Sequence, residues 1–103
     1  MLNIKNKQEL DSIINSNDLV VVDFWASWCG PCRMLSAVIE SYSNSHPEIS
    51  IVKVNVDEAK ELAIEYDIQS LPTIILFKNG KEITSKCGFM SNSAFEKFIE
   101  ENK

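Results

Sequence analysis

The strongest structural signal in the chain lies at residues 19–32, Leu19-Val20-Val21-Val22-Asp23-Phe24-Trp25-Ala26-Ser27-Trp28-Cys29-Gly30-Pro31-Cys32. Residues 19–25 are mostly aliphatic, β-branched or aromatic. Such a run is typical of a strand that is covered on both faces in a parallel sheet. We therefore predict a central strand over residues 19–25.

A long helix is predicted directly after this strand, over residues 32–45. Its apolar residues recur at helical spacing, and its polar residues fall on the opposite face. Pro31 suits the first turn because it has no N–H group to leave unpaired there. The apolar residues are Met34, Leu35, Val38, Ile39 and Tyr42, and the polar ones are Glu40, Ser41 and Asn44.

The other predicted elements follow from the same periodicities and from capping and turn residues. Asn6 is predicted to cap a first helix, with Glu9 reaching back three residues later. Asn79-Gly80 tolerates positive φ and predicts a tight hairpin between two antiparallel strands. The apolar face of the first helix consists of Leu10, Ile13 and Ile14. After Pro47 we predict a strand over residues 49–56 and then a short helix that is capped by Asp57 and ends at Tyr66. The hairpin strands are Thr73–Lys78 and Glu82–Cys87, and a last helix is capped by Ser91, with Ala94, Phe95, Phe98 and Ile99 on its apolar face.

These elements predict an α/β fold. After the first helix their order is β-α-β-α-β-β-α, in which strands alternate with helices before a final hairpin. This order indicates a mixed central sheet of about four to five strands with about four helices on both faces. No repeat, linker-like stretch or charge block divides the sequence, so residues 1–103 are expected to form a single domain.

Composition argues against several classes of function. The chain has 103 residues, 45% of them hydrophobic, which suffices for one core without a metal or disulfide staple. Lys and Arg number 10 against 15 Asp and Glu, and the net charge of −5 argues against binding to nucleic acid. The longest apolar runs, such as Leu19 to Val22 and Ile74 to Phe77, are far shorter than the roughly 18 residues that span a bilayer, so no membrane association is expected.

The amino terminus and the cysteines together predict a compartment. Residues 1–7 are interspersed with polar side chains and offer no apolar stretch for a secretory signal, so a cytoplasmic protein is expected. In a reducing compartment a close cysteine pair more often performs redox or metal chemistry than it staples a fold.

Cys29 and Cys32 flank Gly30-Pro31 where the central strand passes into the long helix. Unpaired N–H groups and the dipole at a helix start stabilise negative charge, so the pKa of Cys29 is expected to be lowered and its thiolate to be a nucleophile. Cys32, one turn later, is placed to form a reversible disulfide with it. Two alternatives remain. One is half of a zinc site, for which only His46 and Cys87 are left as further candidates, and the other is a pair of inert buried cysteines.

Asp23 is an acid inside an otherwise apolar strand. Burying a carboxylate without a partner costs several kcal/mol unless the group is protonated or hydrogen-bonded, which points to a functional role. The alternative is a partly exposed acid near the strand end. Of the two tryptophans, Trp25 is expected to pack in the core and Trp28 to lie at the surface.

Several motifs, in order along the chain, resemble the thioredoxin family. They are Asp23-Phe24-Trp25-Ala26-Ser27-Trp28-Cys29-Gly30-Pro31-Cys32, Lys53-Val54-Asn55-Val56-Asp57, Leu71-Pro72-Thr73 and Phe77-Lys78-Asn79-Gly80. The resemblance implies the thioredoxin fold and a protein-disulfide reductase. Cys29 would attack a disulfide of a client protein, and Cys32 would then attack Cys29 and release the reduced client.

The same resemblance implies how the dithiol is restored. In this family an NADPH-dependent flavoprotein, thioredoxin reductase, returns the electrons, and the domain itself holds no cofactor and no metal. The expected partners are that reductase and disulfide-containing client proteins, for a chain that works as a monomer. Two alternatives are a redox-independent binding module that uses the same surface, and a relative that introduces or isomerises disulfides. Gly30-Pro31 and the lack of a signal sequence favour the reductase.

The resemblance also implies roles for residues around the dithiol. Asp23 would be the buried carboxylate that assists deprotonation of Cys32, tuned by Lys53 on the neighbouring strand. Leu71-Pro72 would be a cis peptide bond beside the dithiol, although X-Pro bonds are usually trans, and the Leu71 backbone would hydrogen-bond an extended client segment. The implied docking surface consists of Trp28, Gly30, Pro31, Ser70, Leu71, Pro72, Gly88 and Phe89.

The chain departs from the family pattern at a few positions. Ala37 stands where many thioredoxins have a proline that kinks the long helix, so a straighter helix is expected. Arg33 replaces a more usual Lys, and Ser70 replaces a common Gly, which would narrow the client groove. The third cysteine, Cys87, is expected to be an ordinary strand-end residue. The alternative is an exposed thiol that forms a mixed disulfide or a dimer under oxidation.

Overall fold

The computed structural model describes residues 1–103. The five strands form one sheet with four helices packed around it, which confirms the predicted mixed α/β architecture. In chain order the elements are β1 (Leu2–Ile4), α1 (Lys7–Ser16), β2 (Leu19–Trp25), α2 (Gly30–Ser45), β3 (Ser50–Asn55), α3 (Lys60–Glu65), β4 (Thr73–Lys78), β5 (Lys81–Cys87) and α4 (Asn92–Glu100). The strand order across the sheet is β1-β3-β2-β4-β5.

Strand β2 lies at the centre of the sheet, as predicted. It pairs in parallel with β3 and antiparallel with β4. Strand β1 extends the parallel half of the sheet beside β3, and β5 extends the antiparallel half beside β4. Residues 20–24 have no exposed surface because the sheet is covered on both faces.

Alternation along β2 divides the core into two layers. Val20, Val22 and Phe24 belong to a cluster with buried residues of α1 and α3. Val21 belongs to a second cluster with buried residues of α2 and α4. Asp23 has the same parity as Val21, so the strand directs its carboxyl to the α2 side of the sheet.

Side chains cap two of the helices at the predicted residues. The Asn6 side chain accepts a hydrogen bond from the N–H of Glu9 at 2.9 Å, and the Ser91 hydroxyl accepts one from the N–H of Ala94 at 3.2 Å. Glu9 reaches back as predicted, but its carboxylate accepts from the N–H of Lys5 and not from that of the cap residue. Each cap satisfies N–H groups that the helix itself leaves unpaired.

The structure also differs from the sequence prediction at α3 and at β1. Asp57 does not cap α3, which begins at Lys60 after an Ala59 without a capping side chain. Asn55 organises that turn instead, because its side-chain oxygen accepts the N–H of Asp57 at 2.9 Å. Asn and Asp are equally good local acceptors, so their order along the chain does not reveal which one acts. Strand β1 was not predicted, since three residues with only Ile4 buried are too few to show an alternating pattern.

Asn79 and Gly80 form the predicted tight turn between β4 and β5. Both have positive φ, 52° and 83°, as a two-residue turn of this hand requires. The pairing of the two strands shifts next to the turn and leaves out Ile83, which forms a β-bulge in β5.

Helix α2 is the longest helix, with 16 residues. It begins at Gly30, two residues before the predicted start, and places Pro31 in its first turn. It continues through Ala37 without a break. None of the helices, α2 included, combines the length and the apolar composition needed to cross a membrane.

Replacing Gly80 with Ala tests the turn. An Ala at a φ of 83° is strained, and its Cβ would lie 3.0 Å from Oδ1 of Asn15. We therefore expect Gly80→Ala to lower the free energy of unfolding by about 1–2 kcal/mol, measured by urea unfolding followed by circular dichroism. Gly88→Ala is the matched comparison for the Asn15 contact: at a φ of 92° Ala is strained there too, but nothing lies within 4 Å of the added Cβ, so this variant should lose less stability than Gly80→Ala. A Gly80→Ala protein as stable as the parent would contradict the prediction.

Candidate active site

The turn between β2 and α2 places Cys29 at the start of a helix. The N–H of Cys29 donates to the carbonyl of Ala26 at 3.2 Å, just after the end of β2 at Trp25. Cys29 is the N-cap residue of α2, with extended backbone, and its Sγ accepts a hydrogen bond from the N–H of Cys32 at 3.2 Å. The sulfur therefore lies at the positive end of the helix, a position that favours a thiolate.

Cys29 and Cys32 form a disulfide in this structure. Their exposed fractions are only 6% and 2%, and they pack against Trp25, Val56 and Leu71. Cys29 lines the cavity beside the disulfide, whereas Cys32 does not. Of the two sulfurs, the one in Cys29 is therefore the one that a second molecule meets.

Asp23 is completely buried on the same side of the sheet as α2. Neither of its carboxylate oxygens has a hydrogen-bond partner within the protein. Burial raises the pKa of Asp23 to about 7, and the positive charge of Lys53 acts in the opposite direction. The alternative of a partly exposed acid at the strand end is therefore excluded.

Lys53 stands directly opposite Asp23 in the pairing of β2 with β3. The two side chains nevertheless form no ion pair. The Lys53 ammonium donates a hydrogen bond to Oγ of Ser36 at 2.9 Å and lies 4.6 Å from the ring centre of Trp25. Lys53 therefore influences the Asp23 carboxyl through space and not by direct contact.

The two tryptophans lie in different environments: Trp28 is at the surface, as predicted, whereas Trp25 is only partly in the core. Trp25 is half-buried against the disulfide, whereas Trp28 is 68% exposed. The indole N–H of Trp28 donates to Oδ2 of Asp57 at 2.8 Å, which holds the ring at the cavity edge. The carboxylate of Asp57, which the sequence predicts as a helix cap, thus orients Trp28 instead.

The Leu71–Pro72 peptide bond is cis, the form implied by the family resemblance. The carbonyl of Pro72 accepts a hydrogen bond from the N–H of Gly88 at 2.8 Å. The hydroxyl of Thr73 donates to the carbonyl of Ser70 at 2.6 Å. These bonds fix the loop before β4 beside the disulfide, where the Leu71 side chain packs against the cysteines.

A cavity of about 700 Å³ lies beside the disulfide, between the start of α2, helix α3 and the loop before β4. Five of the predicted docking residues line it, whereas Pro72, Gly88 and Phe89 do not. Phe89 is 46% exposed and lies outside the cavity. The lining residues are Trp28, Cys29, Gly30, Pro31, Val56, Lys60, Ala63, Ile64, Ile68, Gln69, Ser70 and Leu71.

The α3 wall of this cavity was not predicted from the sequence. Lys60, Ala63 and Ile64 belong to α3, and Ile68 follows it. Ile64 is 79% exposed, more than any other large apolar residue of the chain. The sequence feature that could have indicated this wall is Ile64 itself, an isoleucine on the polar face of a short amphipathic helix, where a side chain has no core to contact.

The third cysteine lies apart from the cavity. Cys87 is exposed at the end of β5, and its Sγ is 3.4 Å from the hydroxyl oxygen of Thr73. Hydrogen bonding with the Ser70 side chain lowers the pKa of the Cys87 thiol. The formation of a mixed disulfide or a dimer through Cys87 remains the alternative to the predicted ordinary strand-end residue.

The amino-acid sequence matches one protein family over nearly its whole length. The family model described as thioredoxin matches residues 1–101. A thioredoxin of Mycoplasmoides gallisepticum is 40% identical over 100 residues, which cover 97% of this chain and 100% of that protein. Thioredoxin-1 of Saccharomyces cerevisiae is 44% identical over 84 residues, which cover 82% of each chain.

Solved structures agree with this match. A Plasmodium falciparum thioredoxin resembles the chain with a TM-score of 0.92 at 36% identity, over 100% of both chains. A Fasciola hepatica thioredoxin does so with a TM-score of 0.93 at 34% identity, again over 100% of both chains. The likeness confirms the predicted thioredoxin fold. Together with the disulfide at the start of α2, it shows that the chain belongs to the thioredoxin family and is a thiol–disulfide oxidoreductase that works through Cys29 and Cys32.

Proposed function

We propose that Cys29 is the attacking thiolate and Cys32 the resolving thiol in the reduction of client-protein disulfides. The position of Cys29, at the start of α2 and in the cavity wall, carries this assignment. Cys29 attacks one sulfur of the client disulfide, the other client sulfur leaves and takes up a proton, and a mixed disulfide forms. Cys32 then attacks Cys29, which releases the second client sulfur as a thiol and leaves the Cys29–Cys32 disulfide. Two electrons have passed to the client.

Asp23 is proposed as the base that accepts the proton of Cys32 in the second step. A pKa of about 7 lets its carboxyl change protonation state near neutral pH, the condition under which a general base works best. Its oxygens have no hydrogen-bond partner within the protein, so no fixed donor competes with the Cys32 thiol. Lys53, opposite Asp23 on β3, is proposed to tune this base through its charge.

The cavity beside Cys29 is proposed as the docking groove for the client. Its apolar side chains include Trp28, Pro31, Ile64 and Ile68, which suit an apolar residue next to the client cysteine. The backbone of Leu71, at the edge of this groove, is proposed to hydrogen-bond an extended client segment. Gly88 and Phe89 would continue the surface beyond Pro72, to which Gly88 is hydrogen-bonded.

We also propose that a flavin-containing thioredoxin reductase returns two electrons from NADPH to the Cys29–Cys32 disulfide.

The chain is further proposed to work as a monomer in the cytoplasm. Cys87 has no partner for a structural disulfide within the chain, which is typical of proteins from a reducing compartment. Sedimentation of the reduced protein tests the monomer, and a dimer that persists in reductant would contradict it.

Removing the Cys32 sulfur should trap clients on Cys29, because the releasing attack is lost. Cys32→Ser, made in a Cys87→Ser background, is expected to accumulate mixed disulfides with a disulfide-containing protein such as insulin. Non-reducing electrophoresis and mass spectrometry identify the adducts. The matched control is Cys29→Ser in the same background, which should form far fewer.

A Cys32→Ser protein that forms no more adducts than the Cys29→Ser control would contradict the assigned roles. The double variant Cys29→Ser/Cys32→Ser should reduce no insulin in the presence of NADPH and thioredoxin reductase. A cellular role that survives this double replacement would favour the redox-independent binding module.

Asp23→Asn should change both the stability and the pH dependence of the protein. The folded pKa of about 7 exceeds the ordinary value of 3.8, so the folded chain holds an extra proton between these pH values and the parent loses stability as pH rises from about 4 to about 7. Asp23→Asn removes this loss, so it should be the more stable protein at pH 8, by on the order of 4 kcal/mol or less, and nearly equal to the parent near pH 3. Urea unfolding of the oxidised proteins across this range measures the difference.

The same replacement should slow client release at pH 7 by roughly tenfold or more, because Cys32 loses its base. Rapid-mixing measurements of mixed-disulfide decay give that rate. A stability difference that does not vary with pH would contradict the buried acid, and an unchanged release rate would contradict its role as a base.

Ile64→Ser should weaken client docking without unfolding the protein, since the side chain is exposed in the cavity wall. We expect KM for a protein disulfide with apolar flanking residues to rise about fivefold, the loss of about 1 kcal/mol of apolar contact, while kcat changes little. Ile83→Ser is the matched control, because Ile83 is also exposed but lies outside the cavity. Equal effects of the two variants would contradict the docking groove.

A further inference from the structure

The Lys53 side chain is held in place by two groups on its own side of the sheet. Its ammonium donates to the Ser36 hydroxyl at 2.9 Å and lies 4.6 Å from the ring centre of Trp25. The hydroxyl comes from the second turn of α2, and the ring comes from the end of β2. A hydroxyl acceptor and an aromatic face both stabilise an ammonium group, so together they form a specific binding position for the Lys53 ammonium.

This binding position keeps the Lys53 ammonium away from the Asp23 carboxyl, although the sheet places the two residues side by side. Lys53 and Asp23 are direct partners on neighbouring parallel strands, so their side chains leave the sheet on the same face. The Asp23 oxygens have no partner within the protein, and a lysine is long enough to reach across one strand spacing. Without the Ser36 acceptor, Asp23 is therefore an unpartnered carboxyl group that the ammonium can approach on its own face of the sheet.

Few other charges act on this pair. Ser36 and Lys53 line a polar cavity of about 330 Å³ together with Glu40 of α2 and the amino-terminal Met1. Glu40 forms no ion pair with Lys53, and the strand on the other side of Asp23 presents Ile74. Lys53 is the one charged group that shifts the pKa of Asp23, and Cys29 and Cys32 are joined as a disulfide here and do not titrate. The position of the Lys53 ammonium is thus the main variable in the field at Asp23.

We propose that Ser36 is a positioning residue of this site, whose hydroxyl binds the Lys53 ammonium and keeps it from forming an ion pair with the Asp23 carboxyl. With the ammonium so held, the carboxyl is neutralised by a proton and not by a lysine, and it remains free to exchange that proton. An ion pair would instead fix Asp23 as a carboxylate. The consequence for catalysis rests on the proposed role of Asp23 as a base, whereas the effect on the ionisation of Asp23 does not.

The test is Ser36→Ala, with the Asp23 side-chain carboxyl followed by carbon-13 NMR as a function of pH in the oxidised protein. Loss of the acceptor should let Lys53 approach Asp23 and lower its pKa by about 1 unit or more. Ser41→Ala is the matched control, because Ser41 lies exposed on the same helix without a contact to Lys53, and it should leave the titration unchanged. An Asp23 titration in Ser36→Ala that equals that of the parent would overturn the proposal.

A Lys53→Met background separates positioning from a general effect of Ser36 on the helix. Lys53→Met should raise the pKa of Asp23, since the opposing charge is gone, and adding Ser36→Ala should then cause no further change. An equal shift in both backgrounds would overturn the proposal. A shift seen only with Lys53 present, but without any change in the pH profile of client release, would support the positioning by Ser36 and contradict the proposed base role of Asp23.

Discussion

Strand β2 is covered on both faces up to the residue at which it leaves the sheet, and helix α2 begins a few residues later. This junction sets the environment of Cys29 and of Asp23, the proposed base. It places the sulfur of Cys29 on the unpaired N–H groups of a helix start, and it places Asp23, two residues before the strand end, where water does not reach. One group is stabilised as an anion and the other is discouraged from becoming one. Two ionisable groups with opposite tendencies, close in sequence, suit a reaction that needs a stable thiolate at one position and a group that takes up a proton at the other.

The buried carboxyl is costly for the fold in the pH range where it is useful. Above its pKa of about 7 the Asp23 side chain must hold a charge in a layer of aliphatic residues such as Val21 and Leu76. A hydrophobic residue would pack there at lower free energy. Active sites often retain such locally unfavourable groups because the same desolvation sets the chemistry. The hydrogen bond from the Lys53 ammonium to Ser36 fits this pattern. An ion pair between Lys53 and Asp23 would lower the free-energy cost of burying the carboxylate but would remove its ability to take up a proton.

The parts of the fold that were predicted from the sequence are those with a local cause. Three of them are determined by a few neighbouring residues: the apolar run of β2, the helical spacing in α2 and the Asn79-Gly80 turn. Strand β1 carries no such pattern, because its three residues are defined by pairing with β3. In the site, the cysteine pair and Asp23 stand out as chemical anomalies in their segments. Ser36 and Ile64 do not, because their roles arise only when α2 meets β3 and when α3 forms the cavity wall.

Both edges of the sheet have features that disfavour pairing with another polypeptide chain. At one edge β1 has only three residues. At the other, β5 is interrupted by the bulge at Ile83 and exposes the charged side chains of Lys81, Glu82 and Lys86. Short, bulged and charged edges resist the addition of another chain as a further strand. An unfolded or extended polypeptide that contacts this protein therefore meets poor templates for sheet growth, which disfavours aggregation that starts at the sheet edges.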